Sequence, residues 1–227
     1  MRAVPVLATA VGLLLAGAAL AATPPATKPD AAAIAQQGNG RGVAPCAACH
    51  NANGGGQPAA GFPRLAGLPA AYLHKQLDDF ASGARSNATM QPVAAGLSEA
   101  ERVALAAYYS RLPIPPAAAP AAPLDAQQKA LGETLATRGR WSKGLPGCAQ
   151  CHGPDGVGVG DHFPPLIGQS SVYISNQLHA WQKGTRHNDP LQLMQTVAGK
   201  LSESDIAAVS AWYAAQPAAT PAGAQQP

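Results

Sequence analysis

The chain has 227 residues, of which 47% are hydrophobic, 5% aromatic and 12% charged, and its formal net charge is +3. A charge this small leaves no electrostatic footprint for nucleic acid, so that class of partner is excluded. The length suits two domains of about 100 residues, yet much of the hydrophobic fraction is alanine, so the core needs apolar bulk from another source.

Met1-Arg2, an apolar run to about Leu20 and the small-x-small site Ala19-Leu20-Ala21 predict a cleaved secretory leader over residues 1–21. The competing reading, an uncleaved anchor, is weaker, because the run is alanine-rich and near the lower length limit for spanning a bilayer. Residues 22–29 read as an extension, and residues 30–112 as a first domain. Within it, Asp30 is placed to cap a short helix reaching Gln37. A longer helix is predicted from Pro69 to Ser82, with Tyr72, Leu73, Leu77 and Phe80 at apolar spacing. A third starts at Ser98, where Glu101 stands three residues on, as in a capping box. Residues 113–124 are so rich in proline and alanine that they read as an extended linker. A second domain is expected over 125–216. Its helices are predicted from Gln127 to about Arg138, from Val172 to Lys183, and from the Ser202/Asp205 capping box onward. Residues 217–227 repeat the Ala/Pro/Gln composition and are expected to be a disordered tail. No period-two alternation occurs, so each half is predicted to be all-α.

The two halves are copies. Phe62-Pro-Arg-Leu-Ala-Gly67 returns as Phe163-Pro-Pro-Leu-Ile-Gly168, and Gln76-Leu77 as Gln177-Leu178. Gly83-x-Arg85-x-Asn87 returns as Gly184-x-Arg186-x-Asn188, and the Met90 segment as the Met194 segment. All four cysteines fall in a repeated phrase, Cys46-x-x-Cys49-His50 and Cys148-x-x-Cys151-His152. In an exported protein four cysteines could form two disulfides, and two thiolates with an imidazole could contribute to a zinc site. Neither explains why histidine directly follows the second cysteine twice. Covalent attachment of haem does. Two thiols one helical turn apart match the two vinyl groups, and the next residue presents its imidazole to the iron. Two porphyrins would also supply the missing apolar bulk.

His50 and His152 are therefore the expected proximal iron ligands. Met90 and Met194 are the only methionines besides Met1. They stand in register in the repeat, and although methionine is commonly core filler, they are the expected second axial ligands. A thioether favours ferrous iron relative to a second imidazole. The carbonyl of a loop residue at Pro63 or Pro164 is expected to accept the proximal imidazole's N–H; the competing reading is a proline that merely stiffens its loop. Arg85 and Arg186 are expected to pair with haem propionates, against the alternative of solvated arginines. Tyr72, Tyr173 and Trp181 are expected near the haems or between the domains, unless they serve only in core packing. His74, His162, His179 and His187 do not recur in register and are expected at the surface.

These residues carry a resemblance. From about residue 30 to 216 the chain is similar to dihaem cytochromes c of the cytochrome c4 type. The resemblance implies two tandem class I cytochrome c domains, each wrapped around one covalently attached haem c with a His/Met iron. It implies an electron carrier rather than an enzyme, exported to the periplasm and monomeric. Its implied partners are redox proteins, a membrane oxidoreductase as donor and a terminal oxidase as acceptor, and peripheral membrane association is compatible with that role. The family's helix-crossing glycine is matched by Gly132 in the second half but by Ala31 in the first. The reading placed first is a free electron shuttle. The alternative is a dihaem subunit of a dehydrogenase, such as a flavocytochrome that oxidises sulfide. A haem enzyme with an exchangeable axial site is third, because the paired methionines argue against it.

Overall fold

The structure, a computed structural model, describes residues 28–116 and 124–217. The expected leader, most of the 22–29 extension, residues 117–123 of the linker and the tail beyond Pro217 lie outside the described residues. In the first half the helices are α1 (Ala31–Gln37), α2 (Ala47–His50), α3 (Ala70–Ser82), α4 (Met90–Ala95) and α5 (Glu99–Arg111). In the second they are α6 (Ala126–Thr137), α7 (Ala149–His152), α8 (Ser171–Gln182), α9 (Leu193–Ala198) and α10 (Glu203–Ala215). No described helix is long and apolar enough to cross a membrane.

The helix starts follow from side-chain caps. Asp30 accepts the Ala33 N–H at 3.0 Å, and Asp125 and Ser170 cap α6 and α8 in the same way. Both capping boxes form, Ser98 with Glu101 and Ser202 with Asp205. Each satisfies two N–H groups that the helix itself leaves without acceptors. The acids also reach further. Glu101 receives Arg41 at 2.6 Å, and Asp205 receives both terminal nitrogens of Arg140 at 2.7 and 3.0 Å. Each pair ties the last helix of a half to the loop that precedes the cysteine motif.

In the first half α5 packs on α3 and α1; in the second α10 packs on α6 and α8. Ile34, Leu73, Leu97, Leu105 and Tyr109 build one core. Leu135, Ile174, Leu178, Ile206, Val209, Trp212 and Tyr213 build the other. Gly132 sits where α6 crosses α10. A Cβ there would lie 2.5 Å from the Ala208 carbonyl oxygen and 2.6 Å from Trp212 Cβ, so the crossing excludes any larger residue. A short hairpin and isolated antiparallel bridges depart from an all-helical reading. Gly139–Arg140 (β1) pairs antiparallel with Leu145–Pro146 (β2). Two-residue strands are too short to leave an alternation in the sequence.

The halves meet along a pseudo-symmetric seam. Arg85 and Arg186 form an antiparallel bridge, flanked by bonds from Ser86 N–H to the Thr185 carbonyl (2.9 Å) and from His187 N–H to the Ala84 carbonyl (3.3 Å).

Candidate functional site

Each cysteine motif occupies one helical turn. Cys46 is the N-cap of α2 and Cys148 that of α7, and the His50 and His152 N–H groups each bond back to the first cysteine's carbonyl at 2.9 Å. That turn brings both thiols and the imidazole to one side. No disulfide joins the four cysteines. Burial raises the Cys46 thiol above its ordinary pKa and pushes Cys148 up to about 11. A thiol–disulfide catalyst works by the opposite shift, a stabilised thiolate.

His50 and His152 are buried, 6% and 7% exposed, and burial lowers the pKa of both, so each imidazole is neutral. His50 Nδ1 lies 3.0 Å from the Pro63 carbonyl oxygen and His152 Nδ1 lies 2.8 Å from that of Pro164. A carbonyl can only accept, so Nδ1 carries the proton and Nε2 keeps its lone pair. Phe62 and Phe163 meet these rings edge-on, with centroids 6.4 and 6.2 Å apart. The repeated Phe-Pro dipeptide therefore sets ring orientation twice over, by packing and by hydrogen bonding.

The first motif opens onto a cavity of about 620 Å³ that Cys46, Cys49, His50 and Met90 all line. A smaller cavity, about 100 Å³, has Cys148, His152 and Met194 in its wall. The rest of the smaller cavity's wall is mostly leucine, valine, isoleucine and aromatic, whereas the larger cavity adds to its leucines and aromatics polar groups of the seam, among them Gln76 and Arg85. Tyr109 and Tyr213, in register in the two halves, each bury a hydroxyl that has no hydrogen-bond partner. The donor set, two thiols and an imidazole on one turn with a thioether in the cavity beside them, fits a covalently held haem c; in the second half Cys151 is exposed and stands at the edge rather than in the cavity wall. A closed zinc site would need a fourth ligand beside each triad, and neither cavity wall supplies a carboxylate or a second imidazole next to the motif. His179 does line the larger cavity, but its Nε2 bonds Glu203 at 2.9 Å.

Arg85 and Arg186, expected beside propionates, lie in the seam and are 6% and 5% exposed, which excludes the solvated alternative. Arg85 donates to Gln76 (2.9 Å), Gln177 (2.6 Å) and Tyr173 (2.8 Å); Arg186 donates to Gln177 (3.0 Å), Gln76 (3.1 Å) and Tyr72 (3.4 Å). Phe80 and Trp181 stack under the two guanidinium groups at 4.4 and 4.0 Å. All these partners are neutral, and both arginines line the larger cavity. The seam is thus a buried cationic patch suited to an anionic group. Gln76 and Gln177 were visible only as repeat markers. A glutamine recurring on an otherwise apolar helix face is the signal that could have assigned them.

Arg64 was also missed. It is 4% exposed, burial lowers its pKa to about 10, and it donates to the Ile167 carbonyl at 3.1 Å and to that of Ala66. Of the other histidines, His74 pairs with Glu99 (2.8 Å) and Asp78 (3.3 Å), acids that Arg102 already bridges. His179 pairs with Glu203, His187 binds its own helix end at Gly184, and His162 is exposed.

Among known proteins, the cytochrome c family model matches residues 38–112 and 130–214. A thiosulfate dehydrogenase electron acceptor of Thiomonas intermedia is 53% identical over 175 residues, covering 77% of this chain and 80% of that protein. A solved thiosulfate dehydrogenase of Marichromatium purpuratum superposes with a TM-score of 0.76 at 44% identity. That match covers 82% of this chain, which spans only 40% of the dehydrogenase chain. Reduced cytochrome c4 of Pseudomonas stutzeri superposes with a TM-score of 0.68 at 36% identity, covering 76% of this chain and 93% of that one.

Proposed function

Since the chain belongs to the cytochrome c family, as a cytochrome c4-like protein with two class I domains and two covalently bound haem c groups, we propose that it is the electron acceptor of a dehydrogenase that oxidises thiosulfate. The chain is an electron carrier, not the catalytic enzyme. The reading placed first from the sequence, a free shuttle toward a terminal oxidase, gives way to its alternative. The observation that carries this is the 53% identity to a thiosulfate dehydrogenase electron acceptor, well above the 39% to a cytochrome c4. The example given with that alternative, a flavocytochrome that oxidises sulfide, is replaced in this proposal by a thiosulfate-oxidising enzyme. The periplasm, where cytochromes c4 typically act, is the proposed compartment.

Each haem c, when bound, supplies a one-electron iron(III)/iron(II) couple. Cys46 and Cys49, and Cys148 and Cys151, would hold it by thioether bonds. His50 and His152 would offer Nε2 to the iron, kept in that tautomer by the Pro63 and Pro164 carbonyls. Met90 and Met194 would offer a thioether to the same iron, which would disfavour ligand exchange and favour the ferrous state. Arg85 and Arg186 would supply charge-assisted hydrogen bonds to the haem carboxylates. Supplied with thiosulfate and a purified thiosulfate dehydrogenase, the oxidised protein should gain the sharp visible bands of ferrous haem in proportion to enzyme. A reduction rate that does not depend on the enzyme would overturn the assignment.

A further inference from the structure

The peptide unit between Pro63 and Arg64 links the two domains at an atom that serves one haem site only. Its carbonyl oxygen takes the His50 Nδ1–H at 3.0 Å. Its own N–H, on Arg64, donates to Gln169 Oε1 at 3.1 Å, and Gln169 Nε2 donates back to the Arg64 carbonyl at 2.7 Å. The amide of Gln169 thus grips both backbone groups of a residue in the other domain. Arg64 and Gln169 are 4% and 5% exposed, so water scarcely competes for these bonds. The Arg64 guanidinium holds the same loop from its side, through the carbonyls of Ile167 and, at 3.4 Å, Gly168.

The repeat does not reproduce this clamp. Pro165 stands where the first copy has Arg64, and Leu68 stands where the second has Gln169. A proline nitrogen has no N–H, and a leucine has no amide. The Pro164 carbonyl still takes the His152 N–H, but the peptide that bears it donates to nothing. One proximal histidine therefore ends a three-member chain of hydrogen bonds that crosses the domain seam. The other ends a single bond.

We infer that Gln169 is a positioning residue of the second domain that acts, through the Pro63–Arg64 peptide, on the proximal ligand of the first, and lowers the reduction potential of that haem. Hydrogen bonds in a chain polarise one another, so a peptide whose N–H is engaged accepts more strongly at its oxygen. A stronger acceptor on Nδ1–H makes Nε2 more basic. A more basic axial nitrogen favours ferric iron. The inference rests on the proposed ligation of iron by His50.

The test compares Gln169→Met and Gln169→Glu with the unaltered, full-length, haem-loaded protein. A redox titration followed by NMR of the haem methyl resonances reads each haem separately. Gln169→Met keeps the volume and removes the amide. It should shift the first domain's haem toward the ferrous form by about threefold, which is ~28 mV at 59 mV per tenfold for one electron, and move the second, whose cavity Gln169 also lines, by less. Gln169→Glu keeps an oxygen for the Arg64 N–H and should not raise that potential. No shift in Gln169→Met, or equal shifts in both haems, overturns the inference. In the ferric protein the displaced Nδ1–H resonance of His50 checks ligation independently. Its presence with an unmoved potential sinks the clamp alone; its absence sinks the ligation as well.

Discussion

The two domains repeat their haem-binding residues and much of their seam, and diverge in the first helix and in the loops around the site. In the first, α1 has seven residues; in the second, α6 has twelve. The loop before the methionine is longer in the second domain. Asn188 and Met194 are six residues apart, against three for Asn87 and Met90, and the extra residues include Leu191 and Gln192 with φ of 61° and 56°. Leu191 is also 89% exposed. Duplication has thus kept the groups that hold and orient a haem and released the groups that set its surroundings. In a carrier with two sites, that is the freedom needed to make them unequal.

The strongest way to break the comparison is to delete one site. Replacing Cys148 and Cys151 together by alanine should leave one covalent haem per chain, attached at Cys46 and Cys49, because each motif lies wholly within one half. Haem content by pyridine haemochrome and mass would check it, and a folded chain with no haem would contradict independent attachment. Exchanging one ligand comes next. Met90→His and Met194→His should each lower the potential of one haem by on the order of 0.1 V, well within the ~0.8 V range that axial ligands span. Loss of the sulfur-to-iron band from one haem at a time is the optical check.

Stability should separate the halves as well. Gly132→Ala forces a methyl against the α10 backbone and should cost the second domain about 1–3 kcal/mol, read as an earlier first transition on thermal unfolding. Ala31, in register in the first, already carries that methyl and packs against its own half's core. A smaller difference lies in the ion pairs. Two hydrogen bonds from Arg140 hold the Asp205 carboxyl at a pKa of about 2, against an ordinary value of 3.8. Its stabilising contribution is therefore complete above about pH 4 and disappears as the pH falls through about 2. Asp205→Asn should cost about 1–2 kcal/mol at neutral pH and flatten the acid limb of the second domain's unfolding curve. Glu101→Gln should cost less, because its partner Arg41 is 59% exposed while Arg140 is 29%.

The divergence also marks what a sequence reading could reach. Helices with a local start signal were legible within a residue or so, as at Asp30, Ser98 and Ser202. The cysteine motifs, the methionines in register and the Phe-Pro dipeptide were legible because the repeat displayed each twice. The β1–β2 hairpin was not, since two residues per strand carry no periodicity. Arg85 and Arg186 stood out as repeated residues, yet their neutral partners Gln76, Gln177, Tyr72 and Tyr173 are set by how the domains dock. The Arg64–Gln169 clamp left no trace at all. It joins residues 105 apart at positions where the copies differ, and a search for repetition passes over such positions.

The most direct test of unequal sites built from one duplicated ligand set is a redox titration of the intact protein resolved haem by haem. Two one-electron transitions of equal amplitude with separate midpoints are expected. A single midpoint shared by both haems would show that the divergent surroundings leave the irons alike, and would contradict the account.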